Sequence, residues 1–208
     1  MKKIGRLCII TDTTVQKKYS HYEIAKMAVK GGADMIQLRD KFLPTSELIQ
    51  VAVKISAYCK KHKVLFLVND RVDVAMIAGA DGVHLGKQDI PVPEARKLLG
   101  RNKVIGGTAH SLSEARLREK EGADYIGYGH IFPTASKHKP EKPKGTAELG
   151  KIVMKIKTPI IAIGGISIEN ISEVMQTGVF GAAFIGSVVK NKNPQKAVKE
   201  LREAIYGK

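Results

Sequence analysis

The sequence contains few of the residues that build covalent or aromatic frameworks. Among its 208 residues there are two cysteines, no tryptophan and 5% aromatic residues. Cys8 and Cys59 are too few for a disulfide scaffold, and neither lies in a CxxC pattern typical of metal or redox sites. The hydrophobic fraction of 43% is still ample for a core. We expect that core to be mainly valine, isoleucine, leucine and alanine, with both cysteines buried as small apolar side chains.

Long apolar runs are also missing. No stretch approaches the length that spans a membrane, and MKKIGRL is not followed by an apolar segment with a cleavage site. We therefore expect a cytoplasmic protein without membrane contact. The net charge of +15 would suit a nucleic-acid binder, but acids lie between the lysines and arginines, and no nucleic-acid motif is present. The composition favours a lysine-rich surface that attracts anionic small substrates. We expect no specific binding of a nucleic acid.

Strand and helix patterns alternate along the whole chain. Apolar runs precede amphipathic segments eight times, for example DMIQLRD before TSELIQVAVKISAYCKKH, which Thr45 or Ser46 would cap. SLSEARLREKEG opens with a capping-box pattern, and a repeated Gly-Ala-Asp predicts glycine caps at helix ends. Strands that are apolar throughout indicate a parallel sheet covered by helices. We therefore predict an α/β fold, a single-domain (β/α)₈ TIM barrel over residues 1–208, rather than a doubly wound sheet.

Polar residues collect where the predicted strands end, which is where such a barrel builds its active site. Strand two ends in QLRDK, so Gln37 and Arg39 alternate and face the same side, with Lys41 just beyond. Together with Lys137 they predict a grip on a diphosphate, because arginine offers a planar fork of donors and lysine a point charge. The structural alternative is a set of ion pairs to Asp40 and neighbouring acids, in which glutamine would have no role.

Asn69 and two acids, Asp70 and Asp89, lie at adjacent strand ends. Two carboxylates would repel a diphosphate unless a cation lay between them. Mg²⁺ binds one or two protein carboxylates together with water and phosphate oxygens, so Asp70 and Asp89 predict a magnesium site. Asp70 could equally cap the following helix, VDVAMI, and the two roles are compatible.

Two further groups predict phosphate contacts. The stretch from Asp124 to Lys137 indicates a buried strand, DYIGYG, and then a loop whose hydroxyls, Thr134 and Ser136, can bind phosphate oxygens. A solvated surface loop would explain this stretch equally well. Gly165 in IGGI and the pair Gly186–Ser187, at strands seven and eight, allow backbone N–H groups to approach a phosphate. The residues thus predict a diphosphate site beside a monophosphate site.

Seven segments, taken in order, resemble the thiamine phosphate synthase family of the synthase/thiazole tautomerase superfamily over essentially the whole chain. They are QLRDK, VNDRVDVA, DGVHLGKQD, GGTAHS, DYIGYGHIFPTASK, PIIAIGGI and FIGSVV. The resemblance implies a transferase that joins hydroxymethylpyrimidine diphosphate to thiazole phosphate, with Mg²⁺ as cofactor. It implies a dissociative mechanism, in which diphosphate leaves, a pyrimidine-stabilised methylene cation forms and the thiazole nitrogen attacks it. The absence of an evident nucleophile fits this mechanism.

The resemblance also implies a role for each candidate residue. The residues implied to hold the pyrimidine diphosphate are Gln37, Arg39, Lys41, Asn69, Thr108 and Lys137, of which Arg39, Lys41 and Lys137 would be catalytic. Those implied to hold the thiazole phosphate are Thr134, Ser136, Gly165, Gly186 and Ser187. The implied metal ligands are Asp70 and Asp89.

Three positions depart from the family pattern. His130 stands in GHIFPT where synthases usually have proline, Thr108 replaces a frequent serine, and Gly186 precedes Ser187 where an apolar residue is usual. The related thiazole tautomerases have a histidine at the first position that serves as acid/base, so His130 leaves that isomerase as an alternative. Retention of QLRDK and both carboxylates favours the synthase. A non-catalytic phosphate-binding regulator is a second alternative, and a homo-oligomer is compatible with the sequence.

Overall fold

The computed structural model describes residues 3–134 and 142–207, in which parallel strands alternate with helices. The strands are β1 (Leu7–Thr11), β2 (Met35–Leu38), β3 (Leu65–Asn69), β4 (Gly82–Leu85), β5 (Val104–Ala109), β6 (Tyr125–Gly129), β7 (Ile160–Ile163) and β8 (Gly181–Phe184). The helices are α1 (His21–Lys30), α2 (Thr45–Lys61), α3 (Val72–Ile77), α4 (Val92–Leu99), α5 (Leu112–Lys120), α6 (Gly145–Val153), α7 (Ile171–Gln176), α8 (Gly186–Val189) and α9 (Pro194–Tyr206). The four-residue α8 between β8 and α9 was not predicted.

The eight strands form one closed barrel. Each strand pairs in parallel with the next one in the chain, and β8 closes the ring on β1, where Ala182 lies beside Leu7. This confirms the (β/α)₈ TIM barrel. All strands of such a ring point their C-terminal ends to the same side, so the loops that follow them surround one mouth. No helix within the described part of the chain is long and apolar enough to cross a membrane.

Both faces of the strands are buried, which explains why their sequences are apolar throughout. In β1, Leu7 and Ile9 pack in the cluster between the strands and the helices, while Cys8 and Ile10 belong to the cluster inside the barrel. Tyr125 is the largest side chain of the inner cluster and is 2% exposed. As expected, both cysteines are buried.

The repeated Gly-Ala-Asp has a structural role at both of its ends. Its glycine follows a helix in the left-handed conformation, as at Gly79 after α3 (φ +62°), which confirms the predicted helix caps. Its aspartate holds the start of an earlier strand. The carboxylate of Asp81 accepts a hydrogen bond from the N–H of Phe66, and Asp34 and Asp124 do the same for β1 and β5. The motif therefore stabilises the side of the barrel opposite the mouth.

Two expected helix caps are wrong. The backbone of Pro44, with its restricted φ, leads directly into α2, so neither Thr45 nor Ser46 is the N-cap residue. The Thr45 hydroxyl instead accepts a hydrogen bond from Arg71. Arg71 is in turn the N-cap residue of α3, which has no side-chain cap, so Asp70 does not cap that helix. The carboxylate of Asp70 is therefore available for other contacts at the mouth.

The capping box predicted for α5 forms only in part. Ser111 accepts a hydrogen bond from the N–H of Glu114, but the Glu114 carboxylate accepts from the N–H of His110 rather than from that of Ser111. The complete reciprocal box lies at α1, between Ser20 and Glu23. Both arrangements still satisfy N–H groups that a helix start would leave without partners.

Candidate active site

Two adjoining cavities lie at the barrel mouth, with volumes of about 430 Å³ and about 270 Å³. Every candidate residue that the structure describes lines one or both of them. Those in the first cavity are Gln37, Arg39, Lys41, Asn69, Asp70, Asp89, Thr108, His130 and Thr134. Those in the second cavity are Thr134, Gly165, Gly186 and Ser187. The remaining two candidates, Ser136 and Lys137, lie outside the described residues.

Gln37 and Arg39 both face the first cavity, as their alternation at β2 predicted. Arg39 forms an ion pair with Asp12, whose side chain is fully buried at the end of β1. The Nε of Arg39 is also buried, and it has no hydrogen-bond partner among the residues described. A buried guanidinium N–H without a partner, beside a cavity, is an arrangement that an anionic ligand can complete.

Asp40 is not the partner of Arg39. The alternative interpretation was right that the cations have acidic partners, but it named the wrong acid. The Asp40 carboxylate accepts hydrogen bonds from the N–H groups of Phe42 and Leu43, both at 2.7 Å, and lies 2.9 Å from Nε2 of His21. Although burial opposes it, the hydrogen bonds from His21 and from these N–H groups hold the pKa of Asp40 below its usual value. Asp40 thereby fixes the backbone of the loop after β2.

The two predicted metal ligands are in contact. Asn69 ends β3, and Asp70 follows it in the left-handed conformation, at φ +62°. The Asp70 carboxylate forms an ion pair with Lys41, and it lies close enough to Asp89 to raise the pKa of that carboxyl. Asp89 also accepts a hydrogen bond of 2.6 Å from the N–H of Gly86. The carboxylate pair therefore lies beside one of the two predicted diphosphate cations.

The carboxylate pair fits a divalent cation. Burial raises the pKa of Asp89, and the adjacent Asp70 raises it further, while the N–H of Gly86 and the charge of Lys41 act in the opposite direction. A cation between the two carboxylates would relieve this repulsion. Within the described ranges, no group of three or more His, Cys, Asp or Glu side chains is arranged to hold a metal ion. Water and substrate oxygens would therefore complete the coordination, as is usual for Mg²⁺.

A buried hydrogen-bond network that the sequence analysis missed lies inside the barrel. His84 shares hydrogen bonds with the hydroxyl of Tyr125 (2.8 Å) and with that of Thr108 (2.9 Å). Tyr125 is also hydrogen-bonded to Gln37, and burial raises its pKa well above the ordinary value, so its hydroxyl stays neutral. The network orients Gln37 and Thr108 from within the barrel. The available signal was His84 itself, a polar residue within the apolar run of β4.

Cys8 also lines the first cavity, from within β1. Burial, together with the charge of Asp34, raises the pKa of its thiol to about 12. A thiol with this pKa stays protonated near neutral pH, and the thiolate is the nucleophilic form. Cys59 is fully buried in α2 and lines neither cavity. Neither cysteine is therefore an activated nucleophile.

The second cavity is lined by glycines and other small residues together with isoleucines. Gly165 is left-handed (φ +69°), and a Cβ at this position would lie 2.5 Å from the carbonyl oxygen of Pro133, so the close approach requires glycine. Gly186 begins α8, and the Ser187 hydroxyl donates to a backbone carbonyl at 3.0 Å. Among the described lining residues, Lys190 is the one with a charged side chain, and the sequence analysis missed it. Fixed backbone with one lysine suits a small anion.

His130 lies beside the boundary between the cavities. It lines the first cavity and is 5% exposed. Gly164, which lines both cavities, packs so closely that a Cβ there would lie 2.3 Å from the Cβ of His130. The preceding carbonyl, of Gly129, forms a hydrogen bond with His110. This position is compatible with an acid/base role and equally with a packing role.

Comparisons with known proteins identify one family. A family model described as thiamine monophosphate synthase matches residues 7–188. The chain is 45% identical over 201 residues to the thiamine-phosphate synthase of Chlorobium phaeobacteroides, covering 97% of this chain and 96% of that protein. It is 48% identical over 195 residues to the thiamine-phosphate synthase of Chlorobium limicola, covering 94% of this chain and 91% of that protein. Among solved structures, thiamine phosphate pyrophosphorylase from Pyrococcus furiosus matches with a TM-score of 0.89 and 39% identity, covering 97% of this chain and 96% of that one.

Proposed function

The chain belongs to the thiamine monophosphate synthase family, and we propose that its barrel mouth joins hydroxymethylpyrimidine diphosphate to thiazole phosphate, giving thiamine phosphate and diphosphate. It is a transferase that acts on small molecules. The observation that carries the proposal is the clustering of Arg39, Lys41, Asp70 and Asp89 in one cavity. Two cations beside a carboxylate pair suit a diphosphate that leaves together with a divalent cation.

We assign the first cavity to the pyrimidine diphosphate. Arg39 and Lys41 would donate hydrogen bonds to the diphosphate oxygens, and the buried Nε of Arg39 would gain a partner there. Asp70 and Asp89 would hold Mg²⁺, which supplies charge neutralisation to the leaving group when it is bound. Gln37, oriented by the buried network, would contact the substrate deeper in the barrel. Asn69 and Thr108 would add neutral hydrogen bonds.

The same residues favour a dissociative reaction. When the bond between the methylene carbon and the diphosphate oxygen breaks, negative charge grows on the leaving group and positive charge on the pyrimidine. Arg39 and Lys41 are placed to stabilise the first of these charges. A covalent enzyme intermediate would need a nucleophile, and the thiol of Cys8 is protonated near neutral pH. The thiazole nitrogen can therefore attack the pyrimidine cation directly.

We assign the second cavity to the thiazole phosphate. Backbone around Gly165, Gly186 and Ser187 would surround the phosphate, with hydrogen bonds from N–H groups. Thr134 lines both cavities, so the two substrates would lie side by side. The roles of Ser136 and Lys137 stay predictions, because both lie outside the described residues.

The two alternatives have weaker support. A thiazole tautomerase would use His130 as acid/base, but its substrate carries no diphosphate, so Arg39 and the carboxylate pair would have no ligand. The curated relatives at 45–48% identity are named thiamine-phosphate synthases, which also favours the synthase. A non-catalytic regulator that binds a monophosphate would need neither Asp70 nor Asp89.

We further propose a cytoplasmic location, because phosphorylated substrates of this kind do not cross membranes unaided. We expect no specific nucleic-acid or membrane partner, since the charged residues that the structure places at the mouth suit small anions. A homo-oligomer stays a prediction from the sequence, to be checked by light scattering of the purified protein.

A coupling assay tests the proposed function. The purified protein receives both substrates with Mg²⁺, and the release of diphosphate and the formation of thiamine phosphate are followed together. We expect equal amounts of both products, dependence on each substrate, and loss of turnover when a chelator removes the metal ion. Diphosphate release without thiamine phosphate, or isomerisation of a thiazole carboxylate phosphate in place of coupling, would contradict the proposal.

A further inference from the structure

The two cations at the end of β2 differ in their freedom to move. Arg39 and its partner Asp12 have side chains that are 12% and 0% exposed, and Asp12 also accepts hydrogen bonds from Thr14. Separating this pair would leave a buried charge without a counter-ion. Lys41 pairs with Asp70, and the Lys41 side chain is 48% exposed. Lys41 can therefore exchange its partner at a lower cost than Arg39.

The backbone that carries Lys41 is fixed although its side chain is exposed. Asp40 accepts hydrogen bonds from the N–H groups of Phe42 and Leu43, and His21 anchors Asp40 from α1. A lysine on a fixed backbone moves its ammonium group through the flexible four-carbon side chain alone. The ammonium group can thus change partners while it stays at the mouth of the first cavity.

We propose that Lys41 is a built-in counter-ion of the Asp70–Asp89 pair, that a divalent cation displaces it, and that the freed ammonium group then binds the diphosphate. The proposal rests on the function proposed above, because it takes both carboxylates as metal ligands. Without ligands, the ammonium group occupies one carboxylate of a pair whose members are in contact. A metal ion has to break this ion pair, and a diphosphate offers the ammonium group a new partner.

This exchange couples the binding of the two ligands. When a metal ion binds alone, displacing Lys41 reduces its net binding free energy. When a diphosphate binds alone, the two carboxylates repel it. Each ligand therefore raises the affinity for the other, and by linkage the factor is the same in both directions. Coupling of this kind is typically about 5- to 150-fold. The site would then fill with metal ion and diphosphate together.

Binding of Mn²⁺, followed by the electron paramagnetic resonance signal of the free ion, tests the proposal without turnover. In the absence of diphosphate, we expect Lys41→Gln to bind Mn²⁺ about tenfold more tightly than the unmodified chain, because no ammonium group has to be displaced. The matched control is Lys87→Gln. Lys87 lines the same cavity but pairs with Glu114, at 3.5 Å. Its loss should change the affinity less than about twofold at physiological salt.

An unchanged or weaker Mn²⁺ affinity in Lys41→Gln, or an equal gain in Lys87→Gln, would overturn the proposal. Asp70→Asn separates this result from a wrong metal assignment. If Asp70→Asn abolishes Mn²⁺ binding and Lys41→Gln gains nothing, the carboxylates are ligands and Lys41 is not their counter-ion. If Asp70→Asn binds Mn²⁺ like the unmodified chain, or if no chain binds it, the metal assignment and the counter-ion both fail. Thermal unfolding of every variant shows whether it is folded.

Discussion

The two cavities at the barrel mouth differ in the kinds of residue that line them. The first contains several charged side chains, such as Arg39, Asp70 and Asp89, which lie in the loops that follow three different strands. The second is lined by glycines such as Gly165 and Gly186, by small and apolar residues, and by a single charged side chain among the described residues, Lys190. Charged side chains can stabilise a charge that grows during the reaction, whereas fixed backbone N–H groups suit a charge that stays constant. The difference indicates that the leaving diphosphate belongs to the first cavity and the unreacting phosphate to the second.

This comparison has a kinetic consequence. Contacts that strengthen in the transition state affect kcat, whereas contacts that are equal in ground and transition states affect KM alone. Changes in the first cavity should therefore lower kcat. Changes in the second cavity should raise KM for the thiazole phosphate and leave kcat nearly unchanged.

The largest effect is expected from the carboxylate pair. Asp70→Asn and Asp89→Asn should each lower kcat about 10³-fold at saturating substrate and Mg²⁺, because the leaving diphosphate loses the charge neutralisation that a bound metal ion supplies. Asp73→Asn is the control, since Asp73 is an exposed acid on α3 that pairs with Arg71. It should keep full activity. Normal turnover by either cavity variant would place the metal ion, and with it the diphosphate, elsewhere.

Arg39 should show the next largest effect, in two separable parts. Arg39→Ala should lower kcat by about 10²–10³-fold, because a growing negative charge loses its fork of donors. It also leaves the carboxylate of Asp12 buried and unpaired, so the free energy of unfolding should fall by about 3–5 kcal/mol. Stability is measured by denaturant unfolding and activity by diphosphate release.

The double variant Arg39→Ala/Asp12→Asn separates the two parts. It removes the buried charge that the single variant leaves behind, so much of the lost stability should return while kcat stays low. If kcat returned together with stability, Arg39 would support the barrel only, and the first cavity would lose its main diphosphate contact.

Gly165→Ala tests the second cavity and should have an intermediate effect. A Cβ at this position would lie 2.5 Å from the carbonyl of Pro133, so the backbone lining has to shift. We expect KM for the thiazole phosphate to rise about tenfold to hundredfold, with KM for the pyrimidine diphosphate unchanged. Gly79→Ala is the control, because Gly79 is also left-handed and a Cβ there has nothing within 4 Å. An equal kinetic effect in both variants would mean that backbone strain, rather than the shape of the cavity, is responsible.

The positions of the first cavity were predictable because charged residues at successive strand ends have no role in an apolar barrel. Parallel strands then bring those ends together, as for Arg39 after β2 and Asp70 after β3. The pairing of individual charges was not predictable. Asp40 is adjacent to Arg39 in sequence, but its carboxylate is held by His21 and nearby N–H groups, and Arg39 reaches Asp12 on the neighbouring strand. Sequence proximity carries little information about side chains on opposite faces.

Contacts that depend on closure of the barrel were missed for a related reason. The hydrogen bonds that join Gln37, Tyr125 and His84 cross the barrel interior, and no periodic pattern within one strand reveals them. Lys190 follows α8, whose four residues are too few to give a helical pattern. The repeated Gly-Ala-Asp was recognised for its glycine alone, because the partner of its aspartate lies on an earlier strand.

His130 should show the smallest effect, and it distinguishes the two enzymes of the superfamily. In a synthase the departure of the diphosphate limits the rate, and no proton has to be transferred through His130. His130→Asn keeps a polar side chain of smaller size against Gly164, where the packing is tight. We therefore expect kcat for coupling to change less than about tenfold, with a stability loss of about 1 kcal/mol. The same preparation is assayed for coupling and for isomerisation of a thiazole carboxylate phosphate.

A tautomerase would respond in the opposite way, because a positioned acid/base contributes about 10²–10⁴-fold to the rate. Arg39→Ala completes the comparison, since a substrate without diphosphate gives its guanidinium group no growing charge to stabilise. If His130→Asn were nearly inactive and Arg39→Ala nearly normal, the catalytic group would lie at the boundary of the two cavities rather than in the charged one. The buried Nε of Arg39 and the contact between Asp70 and Asp89 argue for the reverse pattern, because both are costly arrangements that a diphosphate and a divalent cation together would relieve.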